Sequence, residues 1–170
     1  MIEIIPNWHP IFVHFTIALF TASFGFSVGF SVLAYVLRQS NRFKSTLASE
    51  LEIVGRWCLW AVALITLATV GAGLYAYNTV NHDEAGHLAM KLHRNWALTT
   101  ATIMWLVALW SLWRYYKQKN LTTTFLLALL IVQILVFSTA WLGGELVYRH
   151  GLGVLSLPQV ESEQHHSEME

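Results

Sequence analysis

The chain has 170 residues, of which 55% are hydrophobic, 14% aromatic and only 12% charged, and its formal net charge is zero. That balance is too apolar for an ordinary soluble domain, and zero net charge gives no bulk attraction to nucleic acid or acidic partners. The single cysteine, Cys58, excludes an intramolecular disulfide, a zinc knuckle and any CxxC redox or haem-attachment motif.

Four apolar runs are each long enough to cross a bilayer core, which takes about 20 helical residues. They predict spans at Ile11–Leu37, Val54–Tyr77, Trp96–Tyr116 and Phe125–Tyr148. The fold class expected is therefore all-α: an integral membrane four-helix bundle. It forms one membrane domain over residues 1–155, followed by a polar, acidic tail at 156–170 that reads as disordered. The start, "MIEIIPNWHP", has no basic n-region, so the first span is expected to act as its own insertion signal. Pro10 falls in the first turn of that span, where a missing N–H costs nothing. The second span follows a short polar loop containing "SELE", which also reads as a surface helix. The third ends at "RYYKQKN" and the fourth runs into "GGELVYRHG", where Gly151 marks a helix stop. Trp and Tyr gather at several span ends, as interfacial anchors do.

Basic residues set the expected direction. Arg38, Arg42, Lys44, Arg56, Arg114, Lys117 and Lys119 lie on one side, against Lys91, Arg94 and Arg149 on the other. The positive-inside rule makes the first side cytoplasmic. Both termini are then outside, periplasmic in a bacterial inner membrane.

All eight histidines fall on the outer side. His14 and His93 sit at the outer ends of apolar helices. The helical repeat from His14 meets Ala18, Ala22, Gly25 and Gly29; from His93 it meets Ala97, Ala101, Met104 and Ala108. Small-residue stripes mark faces where membrane helices approach closely, and intramembrane ionisable residues mark function. A neutral imidazole is the commonest side-chain ligand of transition metals and binds haem iron. His14 and His93 are thus expected as axial ligands of haem b, in one or two copies, with His9, His87 and His150 as further ligands. Phe12, Phe15, Leu92, Trp96 and Trp141 offer an apolar pocket, and Lys91, Arg94 and Arg149 can pair with haem propionates. Glu145 either pairs with Arg149, four residues on, or accepts a ligating histidine's second N–H. The bland reading of each histidine is a neutral ring satisfied by a neighbouring hydroxyl or carbonyl. His165 and His166, in the tail, read as solvated.

The blocks "HPIFVHF", "HLAMKLHRNWA" and "GGELVYRHGLGV" resemble a family of small bacterial four-span membrane proteins, domain-of-unknown-function family 2231, over roughly residues 8–155. That family has a proline two residues past the second histidine of the first block, where this chain has Thr16. The family's arrangement looks like that of cytochrome b561-like four-helix cores. The resemblance implies that His9, His14, His87, His93 and His150 act as a group. Those cytochromes carry histidines near both faces, whereas here the cytoplasmic half has none.

Three functions follow as expectations. The first is a b-type haem protein that passes electrons at the outer face to a periplasmic or quinone partner. The second is a copper, iron or zinc binding or transport module built on the same histidines. The third is a non-catalytic subunit of a membrane complex, with a homo-oligomer allowed. Hydrolytic chemistry finds no support, since there is no nucleophile elbow, HExxH or phosphate loop. Electron transfer is favoured over a substrate-specific enzyme.

Overall fold

The computed structural model describes residues 7–39 and 46–154. The acidic tail expected at 156–170, with His165 and His166, lies outside the described residues. Four helices follow in order: α1 His9–Gln39, α2 Thr46–Thr79, α3 Glu84–Tyr116 and α4 Thr123–Tyr148. All four are long and apolar enough to cross a membrane, and no strand occurs among the described residues. In lipid every backbone N–H and C=O must be satisfied within the chain, and a helix does so unaided.

The helices outrun their apolar windows. α2 begins at Thr46 and absorbs "SELE"; α3 begins at Glu84 and absorbs the whole "EAGHLAMKLHRN" segment. At 1.5 Å per residue a helix of that size is about 50 Å long, against a hydrocarbon core of about 30 Å. The surplus projects past the core as polar helix, which hydropathy alone reads as loop.

Local signals set the ends. Asp83 caps α3 by accepting from the Gly86 N–H at 2.7 Å. Thr122 caps α4 in the same way. Beyond α4, Gly151 takes φ 62°, and its N–H and that of Leu152 return to the carbonyls of Val147 and Leu146. α3 ends in a Schellman turn: the Lys119 N–H reaches Arg114 O and the Gln118 N–H reaches Tyr115 O. Its left-handed position is filled by Gln118, with φ 51°.

α1 packs on α2 and α4, and α3 packs on the same two, so α1 and α3 face each other diagonally across the bundle. The core is one cluster running from Phe20 through Leu59, Val62, Met104, Leu129 and Val132. The α1–α2 crossing is closest at Gly55. A Cβ there would lie 3.2 Å from Ser27 Oγ and 3.3 Å from the Ser23 carbonyl. Ser23 uses that proximity to donate to Gly55 O at 2.8 Å.

The two hairpins repeat one pattern. A shift of 84 residues carries His9, Thr16, Phe20, Ser23 and Ser27 onto His93, Thr100, Met104, Val107 and Ser111. Beyond the two histidines and Thr16, which are partly buried, every member of both sets is buried. A shift of 70 carries the buried α2 residues Gly55, Leu59, Val62, Ala63 and Thr66 onto Phe125, Leu129, Val132, Gln133 and Val136, which are all the buried residues of α4. Both hairpins run in the same direction, so they are related by an approximate two-fold axis along the bundle.

A non-glycine residue in the left-handed region costs roughly 1–2 kcal/mol. Gln118→Gly is expected to raise stability by about 1 kcal/mol, read as a higher unfolding midpoint in detergent micelles.

Candidate functional site

At the end of the bundle where the chain begins, the two-fold pattern brings two histidines together. His9, in the first turn of α1, and His93, on α3, have ring centroids 6.3 Å apart, with planes inclined at 78°. Each is only partly buried, yet neither faces open solvent with its Nδ1. His9 Nδ1 lies 3.0 Å from the backbone carbonyl of Thr69 on α2. A carbonyl can only accept, so Nδ1 carries the proton and Nε2 keeps its lone pair. His93 Nδ1 is buried without a partner at hydrogen-bond geometry, and the carbonyl near it is that of Thr139 on α4.

Glycine makes both placements available. One helical turn beyond Thr69 stands Gly73, where a Cβ would come 2.9 Å from His9 Cε1 and 3.0 Å from its Nδ1. One turn beyond Thr139 stands Gly143, where a Cβ would come 3.2 Å from His93 Cε1. Each ring therefore lies against bare helix backbone, close to a carbonyl that a side chain would otherwise screen. Two turns along from each histidine the match continues. Thr16 and Thr69 hydroxyls are 2.8 Å apart, and so are those of Thr100 and Thr139. These pairs satisfy each other's oxygens and clamp α1 to α2 and α3 to α4 at the level of the site.

Sequence reasoning selected His14 as the partner of His93, and the structure does not bring those two together. His14 is exposed on α1, with Nδ1 turned back to the Pro10 carbonyl of its own helix. The ring beside His93 is that of His9, five residues before His14 and so on a different face of α1. His87 is exposed on the extension of α3. It stacks on His82 at 5.2 Å and 13°, and its Nδ1 lies 3.0 Å from His82 Nε2. Tyr77 borders it at 5.8 Å, and the Arg94 guanidinium sits 4.6 Å over the Tyr77 ring. His150 follows the C-cap of α4 and is half-buried.

The cations divide. Lys91 is exposed, Arg94 is held over Tyr77, and Arg149 pairs with Glu145 at 2.5 Å. Glu145 is thereby committed to Arg149. Phe15, Leu92, Trp96 and Trp141, expected to wall an apolar pocket, are all exposed on the outside of the bundle. They face the lipid, where apolar surface has no reason to turn inward. Among the described residues no group of three or more His, Cys, Asp or Glu side chains converges as a metal cage.

The repeated spacing was the missed signal. His-x6-Thr occurs at residues 9 and 16, at 14 and 21 and at 93 and 100; Thr-x3-Gly occurs at 69 and 73, at 21 and 25 and at 139 and 143. The constant offset separates the two histidines: a shift of 84 carries His9 and Thr16 onto His93 and Thr100, whereas it carries His14 onto Leu98.

Gly71 lies two residues before Gly73 on the same helix, and a Cβ there meets nothing within 4 Å. Gly71→Ala is therefore expected to stabilise, by up to about 1 kcal/mol from helix propensity. Gly73→Ala meets the imidazole and is expected to destabilise by about 1–3 kcal/mol. The two variants compared by thermal unfolding in one detergent check the cradle; equal shifts would contradict it.

No curated protein and no solved structure gives a match to this chain. The family model described as "Predicted membrane protein (DUF2231)" matches residues 6–156. The matched stretch holds all four helices and both histidine cradles, and the chain belongs to the DUF2231 family of membrane proteins.

Proposed function

We propose that the protein is a b-type haem membrane protein in which His9 and His93 are the axial ligands, and that it passes electrons near one face of the membrane. The observation that carries this reading is the disposition of the two rings. They come from diagonal helices, and each is held by its Nδ1 side against a helix backbone. Among the described residues no protein group bonds either Nε2. Histidines that bind metals commonly fix the ligating nitrogen by donating the other N–H to a carbonyl. With metal–nitrogen bonds of about 2.0 Å, two imidazoles on opposite sides of one ion have centroids just over 6 Å apart. The observed spacing is 6.3 Å.

The donor set favours haem over a bare ion. A structural zinc site takes four protein ligands and a catalytic one three. Two imidazoles alone are the complement that a haem iron lacks, because the porphyrin supplies the other four nitrogens. Haem b needs no cysteine, which suits a chain whose single Cys58 lies elsewhere on α2. The chain's residues would bind the iron, fix the His9 tautomer through Thr69 and keep the site in low-dielectric surroundings. The haem would supply the one-electron chemistry. Arg94, on the turn after His93, is the nearest of the expected cations in sequence and is suited to a propionate. The inner half of the bundle holds no histidine, so the electron partner is a periplasmic protein or a quinone on the same side. The reading carries the chain to a bacterial inner membrane with both termini outside, as the charge asymmetry directs.

A second reading has one observation in its favour. The 6.3 Å centroid separation suits a single two-coordinate cation such as Cu(I) as well as it suits iron, and a bare cation needs no room around it for a macrocycle. Such a site would store or hand on the metal.

A reduced-minus-oxidised absorption spectrum with metal analysis on the same purified sample separates the two. The expected result is a b-type α-band with iron near one per chain. His9→Ala and His93→Ala are each expected to bring haem down to background, while His14→Ala retains it. Copper at stoichiometry without a Soret band would select the second reading, and full haem occupancy in both cradle variants would remove the ligand assignment.

A further inference from the structure

The opposite end of the bundle holds a cavity of about 40 Å³ that the histidine pair does not explain. Its floor is hydroxylic: Ser23 and Ser27 from α1, and Ser111 from α3, are all buried. Its walls are cationic, with Arg56, Arg114 and Lys119, and one acid, Glu52, offsets a single charge. The cavity therefore carries two positive charges in excess.

These cations are not the usual solvated anchors. Arg114 is only 7% exposed, deep for a guanidinium. Its Nη1 donates to Thr122 Oγ1 at 2.9 Å and its Nη2 to the Asn120 carbonyl, while the Phe125 ring lies 4.9 Å from its centre. These neutral partners hold the group in place and leave its charge. Arg56 lies 4.7 Å over the Tyr115 ring, and its contact with Glu52 is a loose 3.9 Å. Arg56 Nε is buried, and among the described residues it has no hydrogen-bond partner. A buried donor left without an acceptor is costly unless a ligand supplies one.

We infer that this cavity binds a phosphoryl oxyanion, either the headgroup of an acidic phospholipid or free phosphate. One water needs roughly 10–15 Å³ measured in the same way, so the space takes about three oxygen-sized atoms. A phosphoryl group presents three acceptor oxygens. Ser23 gives its proton to Gly55 O, so Arg56 Nε and the hydroxyls of Ser27 and Ser111 supply the three donors, and Lys119 supplies charge at the mouth. The cavity opens at the end that the charge asymmetry assigns to the cytoplasm. Basic pockets between helices at that level take acidic headgroups. This inference is independent of the haem reading, since no residue is shared between the two ends.

The test uses the full-length chain in detergent micelles, titrated with phosphatidylglycerol, phosphatidylcholine or inorganic phosphate, with binding read by native mass spectrometry and unfolding midpoint. One saturable equivalent of phosphatidylglycerol, absent with phosphatidylcholine, identifies the lipid source. Saturation by inorganic phosphate as well identifies the free anion. Arg56→Gln is expected to weaken the bound ligand at least about tenfold. Ser111→Leu, which fills the floor without touching a charge, and Lys119→Gln, on the exposed rim, serve if Arg56→Gln fails to assemble. Absence of any saturable site, or wild-type binding in the folded variants among these three, would overturn the proposal.

Discussion

A ring N–H inside a membrane must find an acceptor within the protein, and most helix carbonyls are already taken and screened. That constraint organises the end of this bundle where the chain begins. Where a glycine stands one turn beyond a carbonyl, the screen is gone and an imidazole can lie flat enough to reach it. Thr69 with Gly73 receives His9, and Thr139 with Gly143 stands against His93. The consequences run outward from there. The His9 tautomer is fixed, so its Nε2 is the nitrogen left for chemistry. The approach of α1 to α2 and of α3 to α4 is fixed as well, and the paired threonine hydroxyls below each cradle keep it so.

The bundle is chemically polar from end to end in a second sense. One end gathers neutral nitrogen donors; the other gathers guanidinium groups and hydroxyls around a cavity. Between them the core is hydrocarbon, interrupted by small hydrogen bonds. Thr66 donates to Met104 Sδ at 3.3 Å, and Gln133 donates to Thr21 at 3.2 Å. Such contacts join helices without offering a continuous path for an ion. A transport function would need a conduit that these isolated contacts do not form, whereas electron exchange confined to one face needs none.

Much of the architecture is visible in hydropathy, because span length and apolarity answer directly to bilayer thickness. Four spans, their order and the family follow from that and from three short blocks. The helix starts were not legible, since the polar extensions "SELE" and "EAGHLAMKLHRN" carry no membrane signal and are held in helix by caps and packing. The site was half legible. The small-residue stripe from His93 does lead into the core, at Met104 and Ala108. The same argument from His14 fails: Ala18 and Gly25 are exposed, and Gly25 has no neighbour within 4 Å of where a Cβ would be. On α1 the buried face is instead Phe20, Ser23 and Ser27, which is the face of His9. Serines are small enough to sit at close helix contacts in a membrane and also hydrogen-bond, so a rule based on Ala and Gly alone misses the Ser23 and Ser27 face.

The approximate two-fold axis relates the two ends to different chemistry. At the histidine end the match holds residue by residue: histidine for histidine, glycine for glycine, hydroxyl pair for hydroxyl pair at the same 2.8 Å. A ligand seated there is approached equally from both sides, as an ion or a planar macrocycle with two equivalent faces can be. Toward the other end the match decays. Ser27 still answers to Ser111, but Gly55 answers to Phe125, and the position of Arg114 is Phe30 in the other hairpin. The cavity is lined by both members of these unlike pairs, so its walls are not related by the two-fold axis. Symmetry retained around the histidines and lost around the arginines is what distinct ligands at the two ends would require, one met from two sides and one admitted from a single side.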